Sequence, residues 1–192
     1  MILAFTAALA LGAGPVEARL QAEPDFSGAA WVFDTNTVLE ATATDPAMLD
    51  GDWRWASISK LVNAIAVLQA VDDELISLDS EVADFLDAPV QPGLTVRDLL
   101  RHTSGLANPE GARALQRVRE IGPDAFCAQD PPGAPGGRFA YNNCDTIVAA
   151  QLLETVRGAD YDAILRSDVF EPAGLSGTRP GRGADNGDFD GR

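Results

Sequence analysis

Ser57 and Lys60 stand three positions apart in the run Trp53-Arg54-Trp55-Ala56-Ser57-Ile58-Ser59-Lys60. On a helix that spacing puts both side chains on one face, one turn apart. A serine hydroxyl is a weak nucleophile until a base takes its proton. A lysine amine can be that base when burial or a cationic neighbour makes it neutral. The start of the same helix would also aim backbone N–H groups at a developing oxyanion. A plainer reading makes Ser57 a helix cap and Lys60 a surface side chain with its charge in water. Composition favours the chemical reading. Of the 14 basic residues 13 are Arg, and Lys60 is the only lysine.

Tyr141-Asn142-Asn143 follows a Gly-rich loop and precedes a helical stretch. A phenol can take or relay a proton when a nearby lysine lowers its pKa. The Asn143 amide can hydrogen-bond a substrate carbonyl or hold the lysine. Taken alone, the triplet also fits a helix-capping turn with a buried tyrosine. Cys144 comes next, 17 positions after Cys127. A bridge closing such a loop would contribute about 3 kcal/mol in the chain-entropy model, and two buried free thiols are the alternative. One His and two Cys are too few for a Cys/His zinc site. No metal or organic cofactor is implied by the motifs.

The elements that must hold these residues can be read in outline. Phe26–Phe33, a turn at Asp34-Thr35-Asn36 and Thr37–Thr44 read as a β-hairpin. Leu61 to Val71 is apolar on every face, which places a helix at the centre of a domain, with Ser57 or Ser59 as its cap. Thr95 can cap a short helix, Val96–His102, that stops at Gly105. Further helices are expected over Gly111–Ile121, Thr146–Val156 and Tyr161–Val169, with a Pro/Gly-rich loop over residues 128–138. The pattern is a hairpin followed by about five helices, an α+β chain with no further strand after residue 44. A lone hairpin is marginal in water, so partner strands are missing from this pattern.

A chain of 192 residues with 46% hydrophobic content can build one packed domain. Its formal net charge of −15 repels phosphate backbones and anionic lipid, so nucleic acid is a poor partner. No apolar run reaches the ~18 to 20 residues of a spanning helix, so no membrane span is expected. Residues 2–14 are uncharged, and Val16-Glu17-Ala18 offers a small-x-small cleavage site. Residues 1–18 therefore resemble a secretory signal that lacks its basic leader, with a buried N-terminal helix as the alternative. Export would place the chain in the periplasm or outside the cell, where disulfides persist. Residues 179–192 hold almost nothing apolar and are expected to be disordered.

Three segments together carry a resemblance. Ser57-Ile58-Ser59-Lys60, Leu99-Leu100-Arg101-His102-Thr103-Ser104-Gly105-Leu106 and Tyr141-Asn142-Asn143 resemble, in order and spacing, the beta-lactamase-related serine hydrolases. The similar branch holds class C beta-lactamases, D-alanyl-D-alanine carboxypeptidases and esterases. Val169-Phe170-Glu171-Pro172-Ala173-Gly174-Leu175 extends the likeness, which covers about residues 27–178. It implies a beta-lactamase/transpeptidase-like fold over residues 19–178 and a small-molecule or peptide substrate. It also implies that Ser57 is acylated, that Lys60 and Tyr141 share the general-base role and that Asn143 contacts the substrate amide. The Ser57 N–H would be one oxyanion donor. His102 would be structural, part of a helix-ending turn.

The sequence departs from this family in one respect. The family carries a third motif, Lys or His followed by Thr or Ser and Gly, on a late strand. The only Lys here is Lys60 and the only His is His102, so no position can supply it. The sheet strands that follow in the family are missing as well. The chain thus reads as the first half of a larger enzyme, expected to be poorly stable and nearly inactive alone, or as an inactive remnant or binding module of that fold.

Overall fold

A computed structural model describes residues 14–35, 37–51, 53–86, 90–129 and 132–178. The signal-like residues 1–13 and the tail 179–192 lie outside them. The chain divides into two compact units, residues 1–56 and 57–192.

The first unit contains α1 (Pro15–Gln21) and the antiparallel strands β1 (Ala29–Asp34) and β2 (Thr37–Ala43). The hairpin sits where the β-branched and aromatic run placed it. Ala29 pairs with Ala43, Trp31 with Ala41 and Asp34 with Thr37, with a bulge between Val32 and Phe33. Among the described residues the sheet has only these two strands. Trp31, Val32, Phe33 and Leu39 remain exposed, as an unpartnered hairpin requires. Pro15 opens α1, and the Glu40 carboxylate accepts from Val16 N at 3.1 Å and Glu17 N at 2.9 Å. An anion there satisfies the amides that every helix start leaves over. Cleavage after Ala18 would remove the first half of this helix. Its residues are not buried, so it is not a core helix.

The second unit is helical: α2 (Ser59–Asp72), α3 (Val96–Arg101), α4 (Ala112–Ile121), α5 (Pro123–Cys127), α6 (Cys144–Arg157) and α7 (Tyr161–Ile164). The long helices α2 and α6 pack together, and α3, α5 and α7 each lie against α6. Val62, Ala66, Val67 and Ala70 of α2 meet a core that includes Leu94, Val148, Leu152 and Leu153. The expected fully central α2 is not observed. Leu61, Ile65 and Leu68 lie on its open side and are 63%, 38% and 44% exposed. Within the unit the helix buries one face and leaves the Leu61, Ile65 and Leu68 face to solvent.

Local signals explain most boundaries. Thr95 and Asp98 form a reciprocal capping box at the start of α3. The helix ends at His102, which takes a left-handed conformation with φ 55°. Neither serine caps α2. Ser57 lies in a single 3₁₀ turn, Ala56–Ile58, and Ser59 is already the first helical residue. The expected last helix is divided. Regular α-helix ends at Ile164, and Leu165–Phe170 continues as a π-helical segment. Arg157 ties the ends of α2 and α6 to this segment, 2.6 Å from Asp73 and 3.4 Å from Asp168. Helix α5 was not anticipated. Pro123 starts it directly after Gly122, a left-handed position that breaks the chain away from α4.

Candidate active site

Ser57, Lys60, Tyr141 and Asn143 all belong to the second unit and come together. The Tyr141 hydroxyl donates to Ser57 Oγ at 2.6 Å. Lys60 Nζ is 3.5 Å from Ser57 Oγ and donates to Asn143 Oδ1 at 2.6 Å. The same ammonium nitrogen is 4.8 Å from the centre of the Tyr141 ring. The serine hydroxyl is therefore engaged by the phenol and the lysine, which is why it does not cap α2.

Two separate stretches of chain make this meeting possible. The 3₁₀ turn Ala56–Ile58 supplies Ser57, and the first turn of α2, which follows it directly, supplies Lys60 three positions on. Tyr141 and Asn143 come from the loop before α6, and that loop docks on the turn after α3. His102 O accepts from Ala140 N at 2.8 Å, and Gly105 O accepts from Gly133 N at 3.1 Å. Gly105 has φ 74°, and a Cβ there would fall 2.5 Å from the Gly133 backbone. Only glycine permits both the conformation and the approach. Asp98 adds a third tie by accepting from Gly136 N at 3.1 Å. The Cys127–Cys144 disulfide joins α5 to the first residue of α6, directly beside Asn143.

Beneath the loop lies a buried polar cluster that sequence reading missed. Asp145, 1% exposed, accepts from Asn142 Nδ2 at 2.9 Å and lies 2.7 Å from His102 Nδ1. It also accepts from the Ser104 hydroxyl, whose oxygen receives Leu106 N at 3.0 Å. Burial pushes the Asp145 carboxyl above the usual range, against the opposing pull of these hydrogen bonds. Its position in the first turn of α6 could have signalled an anchoring anion. Asn108 and Glu110 were missed too. Asn108 Oδ1 accepts from Asn143 N at 3.2 Å, and Glu110 Oε1 lies 3.4 Å from Asn143 Nδ2.

Electrostatically, the hydrogen-bonding contact with Lys60 and the bond to Ser57 hold the Tyr141 hydroxyl below the ordinary tyrosine range. Desolvation and the Glu110 carboxylate act in the opposite sense. The contrast with Tyr161 shows the effect of environment. Tyr161 donates to Asn63 Oδ1 at 3.0 Å, and its burial drives its pKa far upward. Among the described residues no group of His, Cys, Asp and Glu could hold a metal ion, and no helix is long and apolar enough to cross a membrane.

This geometry coincides with a family match. The model of the Beta-lactamase family matches residues 16–186, and the chain belongs to that family. It is 31% identical over 147 residues to penicillin-binding protein 4 of Amycolatopsis lactamdurans, spanning 70% of this chain and 36% of that protein. It is 30% identical over 127 residues to a D-aminopeptidase of Cereibacter sphaeroides, spanning 62% of this chain and 24% of that protein. The octameric penicillin-binding protein homologue of Pyrococcus abyssi shares the fold, with TM-score 0.68 and 23% identity over 84% of this chain and 42% of that one. The fold is thus beta-lactamase/transpeptidase-like, represented here by its helical part and an N-terminal hairpin. The chain spans about a third of the length of the first of these curated relatives.

Proposed function

We propose that this chain carries the nucleophilic half of a serine acyl hydrolase active site. Ser57 Oγ attacks a carbonyl carbon, and the hydroxyl proton passes to the oxygen of deprotonated Tyr141. The distances favour this order, because the phenol oxygen is at 2.6 Å and the lysine nitrogen at 3.5 Å from Ser57 Oγ. Lys60 acts on Tyr141, its positive charge favouring the phenolate. The Ser57 N–H at the head of α2 donates to the developing oxyanion. The leaving group departs with the proton held by Tyr141, and water then releases the acyl group from Ser57. Asn143 holds Lys60 in register through Oδ1, and its Nδ2, which has two N–H bonds and a long contact to Glu110, donates to the substrate carbonyl.

The substrate class is a compound with an acyl carbonyl open to serine attack: a beta-lactam, a peptide ending in D-alanine, or an ester. The names of the relatives, a penicillin-binding protein and a D-aminopeptidase, support this range. The observation that carries the proposal is the Tyr141–Ser57 hydrogen bond formed across 84 positions of sequence. Export to an oxidising compartment accords with the Cys127–Cys144 bridge.

An activated ester tests the proposal. With p-nitrophenyl acetate the chain is expected to release a burst of p-nitrophenol matching the protein concentration. The burst vanishes in Ser57→Ala. A burst that survives this substitution would remove Ser57 from the role. The second reading, a non-catalytic binding module of the same fold, requires no burst in either protein.

A further inference from the structure

Tyr141 is 42% exposed, yet its hydroxyl is aimed at one oxygen, Ser57 Oγ. A ring so open to solvent needs a wall to hold its angle. Lys60 stands on one side, 4.8 Å from the ring centre. His102 stands against it as well, ring centres 4.8 Å apart and planes tilted by 53°. The histidine is itself fixed from three directions. Its Nδ1 lies 2.7 Å from the Asp145 carboxylate, its carbonyl receives Ala140 N, and Phe139 meets its ring edge-on at 5.9 Å. Asp145 in turn is bound by Ser104 and Asn142. A cavity of about 190 Å³ lined by Lys60, Leu99, His102 and Asp145 lies beside these groups, so the inner side of His102 and Lys60 is not solidly packed.

We propose that His102, clamped by Asp145, is a positioning residue for Tyr141: its ring is the wall that keeps the phenol on Ser57. It never touches the reacting atoms. This assigns more than a helix-ending turn to the His-Thr-Ser-Gly segment, whose left-handed His102 backbone directs the ring back toward the loop. The importance of the position rests on the reading of Tyr141 as proton acceptor. The arrangement itself can be tested without catalysis.

The chain has two tyrosines, so ¹³Cζ-tyrosine labelling of the full chain gives one resonance for each. Tyr161 reports on the fold and Tyr141 on the site. His102→Asn retains a residue tolerant of the left-handed backbone and a donor for Asp145, but removes the ring. Without the ring the phenol is expected to swing away from Lys60 and Ser57, so the Tyr141 midpoint rises above its wild-type position, while the Tyr161 resonance is unchanged. A wild-type Tyr141 midpoint with Tyr161 unchanged would overturn the proposal. Should Tyr161 move as well, the fold has been lost, and the wild-type chain decides. A nuclear Overhauser contact between the His102 and Tyr141 rings supports the wall, and its absence refutes it. Failure of the catalytic reading would show separately, as a wild-type chain whose Ser57 never reacts.

Discussion

The Tyr141 hydroxyl lies 2.6 Å from Ser57 Oγ, inside ordinary hydrogen-bond range, whereas Lys60 Nζ is at 3.5 Å and is drawn toward Asn143. The two basic groups are therefore unequal. In the proposed mechanism Tyr141 exchanges a proton with the serine directly, and Lys60 acts through its charge. Tyr141→Phe keeps the ring against His102 and removes only the hydroxyl. It is expected to slow acylation of Ser57 by ~10²- to 10⁴-fold, the usual contribution of a positioned acid–base group. Stopped-flow acylation by an activated ester measures this, and an unchanged rate would return the base role to Lys60.

The pH dependence follows from the same pair. The proposed mechanism makes deprotonated Tyr141 the acceptor, so it predicts an acylation rate that rises with pH as the phenol loses its proton. Lys60 and Ser57 lower that pKa, so the rise is centred below the ordinary tyrosine value of about 10. Replacing Lys60 with Ala removes the positive charge, and the midpoint moves upward toward that value. A midpoint that stays in place in Lys60→Ala would mean that the lysine does not tune the phenol.

Asp98 links stability to pH in a second place. Burial alone would raise its carboxyl, but hydrogen bonds from Thr95, Thr103 and Gly136 outweigh burial and leave it below 3.8. The folded state therefore favours the carboxylate. Its contribution is complete above the unfolded value and disappears as pH falls through the lower folded value. Acid denaturation followed by circular dichroism is expected to show a smaller loss of stability below pH ~4 in Asp98→Asn than in wild type. Thr95→Ala, which removes the cap of α3, costs about 1 kcal/mol at neutral pH.

Reduction of the Cys127–Cys144 bridge loosens the segment that precedes Asn143. The closed loop has a sequence separation of 17, so reduction is expected to remove about 3 kcal/mol. Urea titration with and without a phosphine reductant measures this. A coincident pair of curves would mean that the bridge does not constrain the unfolded chain.

The site was legible in the sequence where its logic is local. Ser57 and Lys60 are one helical turn apart, and Lys60 is distinguished by being the sole lysine. Tyr141 and Asn143 were recognisable as a second motif, and Thr95 announced the start of α3. The supporting residues were not legible, because their partners are distant in sequence. Asp145 meets Ser104 across 41 positions and His102 across 43, and nothing in either local pattern points to the other. Gly105 looks like a simple helix stop until Gly133 is seen against it. The uniform hydrophobicity of α2 was misleading for a related reason. Sequence records that Leu61 and Ile65 are apolar, whereas burial depends on what packs there, and here one face stays open. The π-helical continuation after Ile164 packs against α2, where Gln69 Nε2 donates to Asp168 O, a contact across 99 positions that no local spacing records.

The most direct test of Ser57 as an activated nucleophile is intact mass of the purified chain after exposure to a penicillin and, separately, to an activated ester. Ser57→Ala serves as the control. The account predicts a single acyl adduct on the wild-type chain with at least one reagent, and none on Ser57→Ala. No adduct with either reagent, or an adduct that persists in the variant, would contradict it.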